Sequence, residues 1–324
     1  MRITLIGLLL LAMSGCAAFS DDAGGTDTSD GVQVTVAFYP LQYAAQRVAG
    51  DHATVVNLTQ PGGEPHDLEL TVKETATIAE ADLVVHEKGF QPAVDAGVEE
   101  NAGGEVLDAA TVVNLMDVEE SAEEHEEHAD EGEEHADEGE EHADEGEEHE
   151  HGDLDPHFWQ DPLRMADLGD AIAERLADID PDNADDYTAN AADLRTDLEA
   201  LDSAYTQGLG DCDRDAVVVS HDAFGYLEKY GLHITGVAGL SPDAEPTPAT
   251  LADLHALIRD EGITTVFSER LASPRFTEPL AKDLGIETDV LDPIEGLTDD
   301  TAGEDYLSLM EQNLDALREA NACR

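Results

Sequence analysis

Three histidines occur where the chain could present metal ligands: His66 in GGEPHDLEL, His157 in DPHFWQDP and His221 in VVVSHDAFGYL. His66 follows a predicted strand, His157 precedes a predicted helix, and His221 ends a strand. Ligands of open parallel sheets gather at the carboxyl ends of the strands, where His66 and His221 fall. Pro65 and Pro156 stiffen the backbone before two of these histidines. Imidazole nitrogens suit Zn²⁺, which takes four ligands in structural sites. The three histidines therefore predict a zinc site.

Four other histidines lack such settings and are interpreted as surface or structural residues. Taken alone, each of His66, His157 and His221 would also fit a surface or helix-capping role. Their shared placement at the ends of elements distinguishes them as a set. The other four are His52, His86, His233 and His255, of which His86 also ends a predicted strand.

The charge of the chain restricts its partners. The 324 residues carry a formal net charge of -61, and 41% of them are hydrophobic. Self-repulsion of this size argues against nucleic acid or anionic lipid as a partner and favours cations. The acidity is spread along the whole chain, which suits a protein in concentrated salt, where screening shortens the reach of repulsion. A halophilic source is therefore expected.

The amino terminus has the pattern of an export signal. Arg2 precedes an apolar run over residues 3–13, which is well short of the roughly 20 residues that span a membrane. The following MSGC resembles a lipobox, in which Cys16 becomes lipid-modified after cleavage. This predicts a signal peptide over residues 1–15, a polar tether over residues 16–31, and anchoring at the extracellular face of the cell membrane. The alternative is a secretory signal with an incidental cysteine.

Strands and helices alternate along two stretches, which predicts two α/β lobes with parallel sheets. The first lobe covers residues 32–183 and the second covers residues 211–324, with a long helix over residues 184–210 between them. Strands are predicted at residues 32–38, 53–58, 81–87, 104–109, 111–115, 215–221, 233–240, 264–269 and 287–293. Helices are predicted at residues 40–49, 71–80, 163–179, 184–209, 223–230, 250–260, 276–284 and 305–319.

Four motifs together resemble those of the cluster A-I solute-binding proteins, the zinc-binding components of ABC transporters. They are GGEPHDLEL, DPHFWQDP, SHDAFGYL followed by GVAGLSPDAEPTP, and LDPIEGL, in the order of that family from about Val32 onward. The resemblance implies two Rossmann-like lobes joined by a rigid helix, with the transported metal in the cleft between them. It also implies a membrane permease as partner, and the protein is expected to be a monomer. Manganese-selective relatives commonly carry Glu at the position of His221, so this histidine favours zinc.

The resemblance also implies a fourth ligand, a carboxylate from the second lobe. Glu295 is preferred, because relatives with three histidines often place Glu there, and Asp292 in the same LDPIEGL motif is the alternative. Glu269 ends a predicted strand and is expected to orient a ligand or to line the cleft.

Residues 119–155 form an acidic, low-complexity segment in which HADEGEE repeats every seven residues. The repeat lacks the apolar pair of a coiled coil, and its scarcity of apolar side chains predicts a disordered loop. Its histidines are either incidental in a solvated insertion or weak auxiliary zinc ligands, as in the His-rich loop of many zinc-type relatives, and we favour the second interpretation. These histidines are His125, His128, His135, His142, His149 and His151.

Other functions fit less of the sequence. A zinc hydrolase needs an open coordination position and a nearby general base, as in HExxH, which the sequence lacks. No catalytic residues are therefore predicted. A manganese-binding member of the same family and an adhesin-type surface lipoprotein remain as alternatives, although an adhesin would leave the four motifs unexplained.

Cys212 and Cys323 remain after lipidation of Cys16. Outside the cell two such thiols often pair, and neither has the C-x-x-C spacing of a zinc site. A bridge between them would pin the last helix to the second lobe. Two free thiols are the alternative.

Overall fold

The computed structural model describes residues 31–118 and 154–324. Four predicted features lie outside the described residues: the signal peptide, the lipidation site Cys16, the tether before residue 31 and the six histidines of the acidic segment. Within residues 31–118 and 154–324, no helix combines the length and the apolar composition that crossing a membrane requires.

The first sheet has four parallel strands in the order β2-β1-β3-β4. The strand β3 is buried along its whole length, as expected for a strand covered on both faces. The strands are β1 (Val32–Val36), β2 (Ala53–Asn57), β3 (Leu83–His86) and β4 (Glu105–Asp108). The helices that connect them are α1 (Tyr39–Ala49), α2 (Val72–Glu80) and α3 (Pro92–Asn101), of which α3 was not predicted.

Two predictions around the acidic segment are corrected. The predicted strand over residues 111–115 is a short helix, α4 (Ala110–Val113), because Asp108 accepts hydrogen bonds from the Ala110 amide and the Thr111 hydroxyl. The predicted loop ends two residues early, because β6 (Leu154–Asp155) pairs antiparallel with β5 (Met116–Asp117).

A pair of long helices follows, α5 (Pro162–Ile179) and α6 (Ala184–Leu209), and both pack against α1. The Asp161 side chain caps α5 by accepting a hydrogen bond from the Leu163 amide. One stripe of α6 is apolar and buried, and the Tyr205 hydroxyl in it donates to the Met310 carbonyl at 2.7 Å. Other large side chains of this stripe are Tyr187, Leu194, Leu198 and Leu201. The helix α6 therefore connects the first sheet to the carboxyl-terminal part of the chain.

The second sheet is also parallel, in the order β10-β9-β7-β8. Its strands are β7 (Ala216–Val219), β8 (His233–Gly236), β9 (Thr265–Ser268) and β10 (Glu287–Val290). Its helices are α7 (Pro248–Asp260), α8 (Thr277–Leu284) and α9 (Tyr306–Asn321). The predicted helix over residues 223–230 is a 3-10 helix over Gly225–Tyr230, which ends at Gly231 with a φ of 87°.

One apolar core runs from the first sheet through α5 and α6 to one face of the second sheet. Val217 and Val219 face this core, whereas Ala216 and Val218 face a smaller one on the opposite side, as the two-residue period of a strand requires. A disulfide joins Cys212 to Cys323 and so ties the end of α6 to the end of α9. The predicted α/β fold with two parallel sheets and a long helix is confirmed.

Candidate metal centre

His66 lies in the loop between β2 and α2, which is held from two sides. The Gln91 side chain donates to the Pro65 carbonyl at 3.0 Å. The Gly62 amide donates to the Leu297 carbonyl at 2.7 Å, which ties this loop to the segment after β10. Gly62 has a φ of 78°, a conformation that glycine adopts without the steric cost that a side chain brings.

His157 and His221 are buried, and a carboxylate holds the Nδ1 atom of each ring. Asp155 Oδ1 lies 2.7 Å from His157 Nδ1 and also accepts from the His157 amide. Glu269 Oε1 lies 2.5 Å from His221 Nδ1 and accepts a hydrogen bond from the Ser220 hydroxyl. Because a carboxylate on Nδ1 fixes the ring, Nε2 of both histidines is left to face the interior. Glu269 therefore makes a contact with His221 of the kind predicted to orient a ligand.

Glu295 brings the three rings to a common point. Its Oε1 atom lies 3.2 Å from His66 Nε2, 3.5 Å from His157 Nε2 and 3.4 Å from His221 Nε2. The ligand atoms of these four residues all lie within 4.8 Å of one another. In a tetrahedron with zinc–nitrogen bonds of about 2.0–2.1 Å, neighbouring ligand atoms are about 3.3 Å apart, and the three distances from Glu295 Oε1 match that value.

The Nε2 atoms of His157 and His221 are buried without a hydrogen-bond partner among the residues that the structure describes. Their distances to Glu295 are those of ion pairs, but the alignment of a hydrogen bond is missing. Buried polar atoms in native proteins normally have partners. A cation at the centre of the cluster would supply the missing partner for both nitrogens.

A strained turn places Glu295 in the cluster. Ile294 has a φ of 61°, which is unfavourable for a β-branched residue and costs on the order of 1–3 kcal/mol. The Pro293 carbonyl is held by two donors, Trp159 Nε1 at 2.7 Å and Gln160 Nε2 at 2.6 Å. Since Trp159 and Gln160 follow His157 in the chain, these bonds fix the His157 segment and Glu295 relative to each other.

Asp292, the alternative fourth ligand, points its carboxylate elsewhere. Its Oδ1 atom accepts from the Ile294 amide at 2.9 Å, and its Oδ2 atom lies 2.9 Å from Arg270 Nε. Its backbone is paired with the Asn313 side chain through two hydrogen bonds. Asp292 therefore supports the turn, and Glu295 is the carboxylate that meets the histidines.

The cluster holds opposite charges close together. Burial alone would raise the pKa of Glu295, but the contacts with His157, His221 and His66 outweigh it and hold that pKa well below its usual range. Burial would lower the pKa of His221, whereas Glu269 and Glu295 together raise it to about 10. Burial would also lower the pKa of His157, but the adjacent Asp155 carboxylate outweighs this effect and raises the pKa of that ring. Without metal, His157 and His221 therefore keep their protons to a higher pH than a free imidazole does.

The other histidines outside the acidic segment stay apart from the cluster. His52 pairs with Asp186 at 3.0 Å, and the buried His86 pairs with Asp95 at 3.1 Å. His233 and His255 do not belong to it either.

Two acidic residues near the cluster were not predicted from the sequence. Asp155 stands two residues before His157, a spacing that places its carboxylate on the ring and could have suggested its role. Glu64 accepts from the His66 amide at 3.2 Å, and burial with the nearby charge of Glu295 raises the pKa of Glu64 to about 7.

Comparisons with known proteins agree with this geometry. Residues 34–320 match the family described as "ZnuA: Zinc-uptake complex component A periplasmic". The chain is 35% identical over 318 residues to the zinc-binding lipoprotein AdcA of Streptococcus pneumoniae, covering 96% of this chain but only 60% of that protein. It is 32% identical over 322 residues to the high-affinity zinc uptake system protein ZnuA of Bacillus subtilis, covering 98% and 96% of the two chains.

A solved structure shares the fold. The Zn(II)-bound ZnuA-like domain of Streptococcus pneumoniae AdcA aligns with a TM-score of 0.70 and 31% identity, covering 90% of this chain and 99% of that one. The family match spans most of the chain, and the shared fold agrees with it. The chain therefore belongs to the zinc-uptake complex component A family.

Proposed function

We propose that this protein is the extracytoplasmic zinc-binding component of an ABC importer, which captures Zn²⁺ and delivers it to a membrane permease. The observation that carries the proposal is the convergence of three imidazole Nε2 atoms on one buried carboxylate oxygen. The names of the relatives from Streptococcus pneumoniae and Bacillus subtilis, which refer to zinc binding and zinc uptake, support it. Competition titration of the purified protein against a zinc chelator tests it, and absence of tight zinc binding would refute it.

We propose His66, His157, His221 and Glu295 as the four zinc ligands. A site with four protein ligands is closed, which suits holding an ion rather than activating a water molecule. Three nitrogen ligands also favour Zn²⁺ over Mn²⁺, which prefers oxygen. His66 comes from the part of the chain before α6, and His221 and Glu295 come from the part after it. Residues 32–183 and 211–324 would accordingly act as two lobes that share one ion.

Zinc affinity is expected to fall as the pH falls. The raised pKa values of His221, to about 10, and of His157 mean that protons occupy these rings in the metal-free protein and compete with zinc. Zinc binding should therefore release protons, and the apparent affinity should rise steadily from about pH 6 to about pH 8.5. Calorimetry in two buffers of different ionisation enthalpy would count the protons. An affinity independent of pH, with no proton release, would contradict the proposed protonation.

We propose a gathering role for the acidic segment, whose histidines would bind zinc weakly beside the tight site. The described residues at its two ends, in β5 and β6, are paired, and only Pro156 separates β6 from His157. Deleting residues 119–150 should leave one tight zinc site and remove several weak ones. Calorimetry of the full chain and the deletion variant would compare the two stoichiometries, and equal values would refute the proposed role.

We propose that Cys16 carries a lipid anchor that keeps the protein at the extracellular face of the membrane, next to its permease. The name of the AdcA relative, a lipoprotein, supports this proposal. A Cys16→Ser variant is expected to leave the membrane fraction, because a serine hydroxyl cannot form the thioether of a lipobox cysteine. Fractionation followed by mass spectrometry of the amino terminus would test this. Recovery of that variant in the membrane fraction in the wild-type amount would contradict it.

A further inference from the structure

Tyr226 is a buried residue of the 3-10 helix Gly225–Tyr230, and its hydroxyl joins the two strands next to the acidic segment. The hydroxyl accepts a hydrogen bond from the Met116 amide of β5 at 3.0 Å and donates one to the Asp155 carbonyl of β6 at 2.7 Å. Met116 and Asp155 are register partners in this antiparallel pair. One hydroxyl from the part of the chain after α6 therefore bridges the two strands at Asp155.

The side chain of Asp155 connects this bridge to the zinc cluster. Its Oδ1 atom lies 2.7 Å from His157 Nδ1 and accepts from the His157 amide at 2.9 Å. The strand β6 has only two residues, and it ends at Asp155. A pair of strands is at best marginally stable by itself, so β5 and β6 depend on outside contacts such as the one with Tyr226.

Gly225 lies against the other oxygen of the same carboxylate. A Cβ atom added at Gly225 would lie 3.1 Å from Asp155 Oδ2, which is closer than ordinary van der Waals contact. Glycine therefore lets the Asp155 carboxylate approach the backbone of the 3-10 helix closely. The neighbouring residues Gly225 and Tyr226 thus lie against the carboxylate and the carbonyl of Asp155, respectively.

The segment that contains Tyr226 also contains one of the proposed zinc ligands. His221 precedes Tyr226 by a few residues, after the end of β7. The segment would therefore supply His221 to the ion directly and hold His157 indirectly, through Asp155. This arrangement keeps two ligands that are distant in sequence in one fixed geometry, which a preorganised metal site requires.

We propose that Tyr226 is a positioning residue of the zinc site, which acts on His157 through Asp155. This inference rests on the proposed zinc-binding function. The Tyr226 hydroxyl fixes the Asp155 backbone, and the Asp155 carboxylate fixes the His157 ring, so that Nε2 of His157 faces the centre of the cluster. Without the hydroxyl, the Asp155 carboxylate gains freedom, and zinc binding must pay for ordering it.

The test is a set of competition titrations of the full chain with a zinc chelator. In Tyr226→Phe, which keeps the ring and removes only the hydroxyl, the zinc affinity is expected to fall about tenfold, the lower end of the loss for an outer partner of a ligand. In an Asp155→Ala background the same change should cost less than about twofold, because the carboxylate through which Tyr226 acts is absent. In a Glu269→Gln background it should again cost about tenfold, because Glu269 orients His221 and not His157.

The matched control is Tyr230→Phe. Tyr230 belongs to the same 3-10 helix, is also buried, and donates through its hydroxyl to Asp202 Oδ1 at 2.8 Å. Both variants lose one buried hydrogen bond, so both should lower the free energy of unfolding, but only Tyr226→Phe should lower the zinc affinity. Gly225→Ala is a second variant, which displaces the Asp155 carboxylate without removing a hydrogen bond and should lower the affinity more than about twofold.

Wild-type zinc affinity in Tyr226→Phe would overturn the inference. A tenfold loss that remains in the Asp155→Ala background would also overturn it, because Tyr226 would then act by another route. An equal loss in Tyr230→Phe would reduce the effect to general destabilisation and overturn it as well. If Tyr226→Phe does not fold, wild-type affinity in Gly225→Ala decides against the inference. Failure of the wild-type protein to bind zinc would instead refute the proposed function.

Discussion

Replacing His221 by alanine is expected to lower the zinc affinity by more than about 100-fold, since loss of an outer partner of a metal ligand already costs about 10–100-fold. The Nε2 atom of His221 faces the centre of the cluster and has no hydrogen bond of its own among the described residues. The same loss is expected for His157→Ala. Competition titration with a chromophoric chelator measures the affinity of each variant.

The control for these variants is His255→Ala, which removes a histidine from α7, outside the cluster. Its affinity should equal that of the wild type. Glu269→Gln should give an intermediate loss of about 10–100-fold, because it weakens the contact that orients His221. Wild-type affinity in both His221→Ala and His157→Ala would show that zinc binds elsewhere.

Glu295→Gln is expected to cost about 100-fold or more in zinc affinity, whereas Asp292→Asn should cost less than about tenfold. Both changes replace a carboxylate by an amide of similar shape and remove one charge. They differ in geometry, because Glu295 lies against the three rings and Asp292 contacts Arg270 and the Ile294 amide. Parallel competition titrations measure the difference.

Variants of Asp292 also distinguish an effect on the free energy of unfolding from an effect on zinc affinity. Asp292→Ala should lower the free energy of unfolding by about 1–3 kcal/mol, because the buried Ile294 amide loses its acceptor. Asp292→Asn retains an acceptor and should unfold close to the wild type. Denaturant unfolding would measure both. A larger loss of zinc affinity in Asp292→Asn than in Glu295→Gln would show that Asp292, and not Glu295, is the fourth ligand.

Much of the zinc cluster was predictable from the sequence, because its histidines lie at the ends of predicted strands and helices. The three histidines could be selected from their loops, and the structure brings them together with Glu295. The choice between Glu295 and Asp292 needed more than spacing, because both lie on one turn. The positive φ of Ile294 and the two donors on the Pro293 carbonyl orient that turn, and both donors, Trp159 and Gln160, are distant in sequence.

Other features depended on contacts that a linear pattern does not contain. The segment over residues 111–115 is rich in β-branched residues, which predicts a strand, but hydrogen bonds back to Asp108 form a helical turn instead. Glu87 looks like an ordinary acidic residue at the end of a strand. Its unusual character comes from burial without a partner, which only the folded chain reveals.

The most direct test of the zinc site is anomalous diffraction at the zinc and manganese edges, from crystals grown with equal amounts of both metals. We expect one zinc peak within about 2.0–2.2 Å of the Nε2 atoms of His66, His157 and His221 and of Glu295 Oε1. The same position should give no manganese signal. Manganese at this point, or zinc bound tightly elsewhere while these four residues remain without metal, would contradict the account.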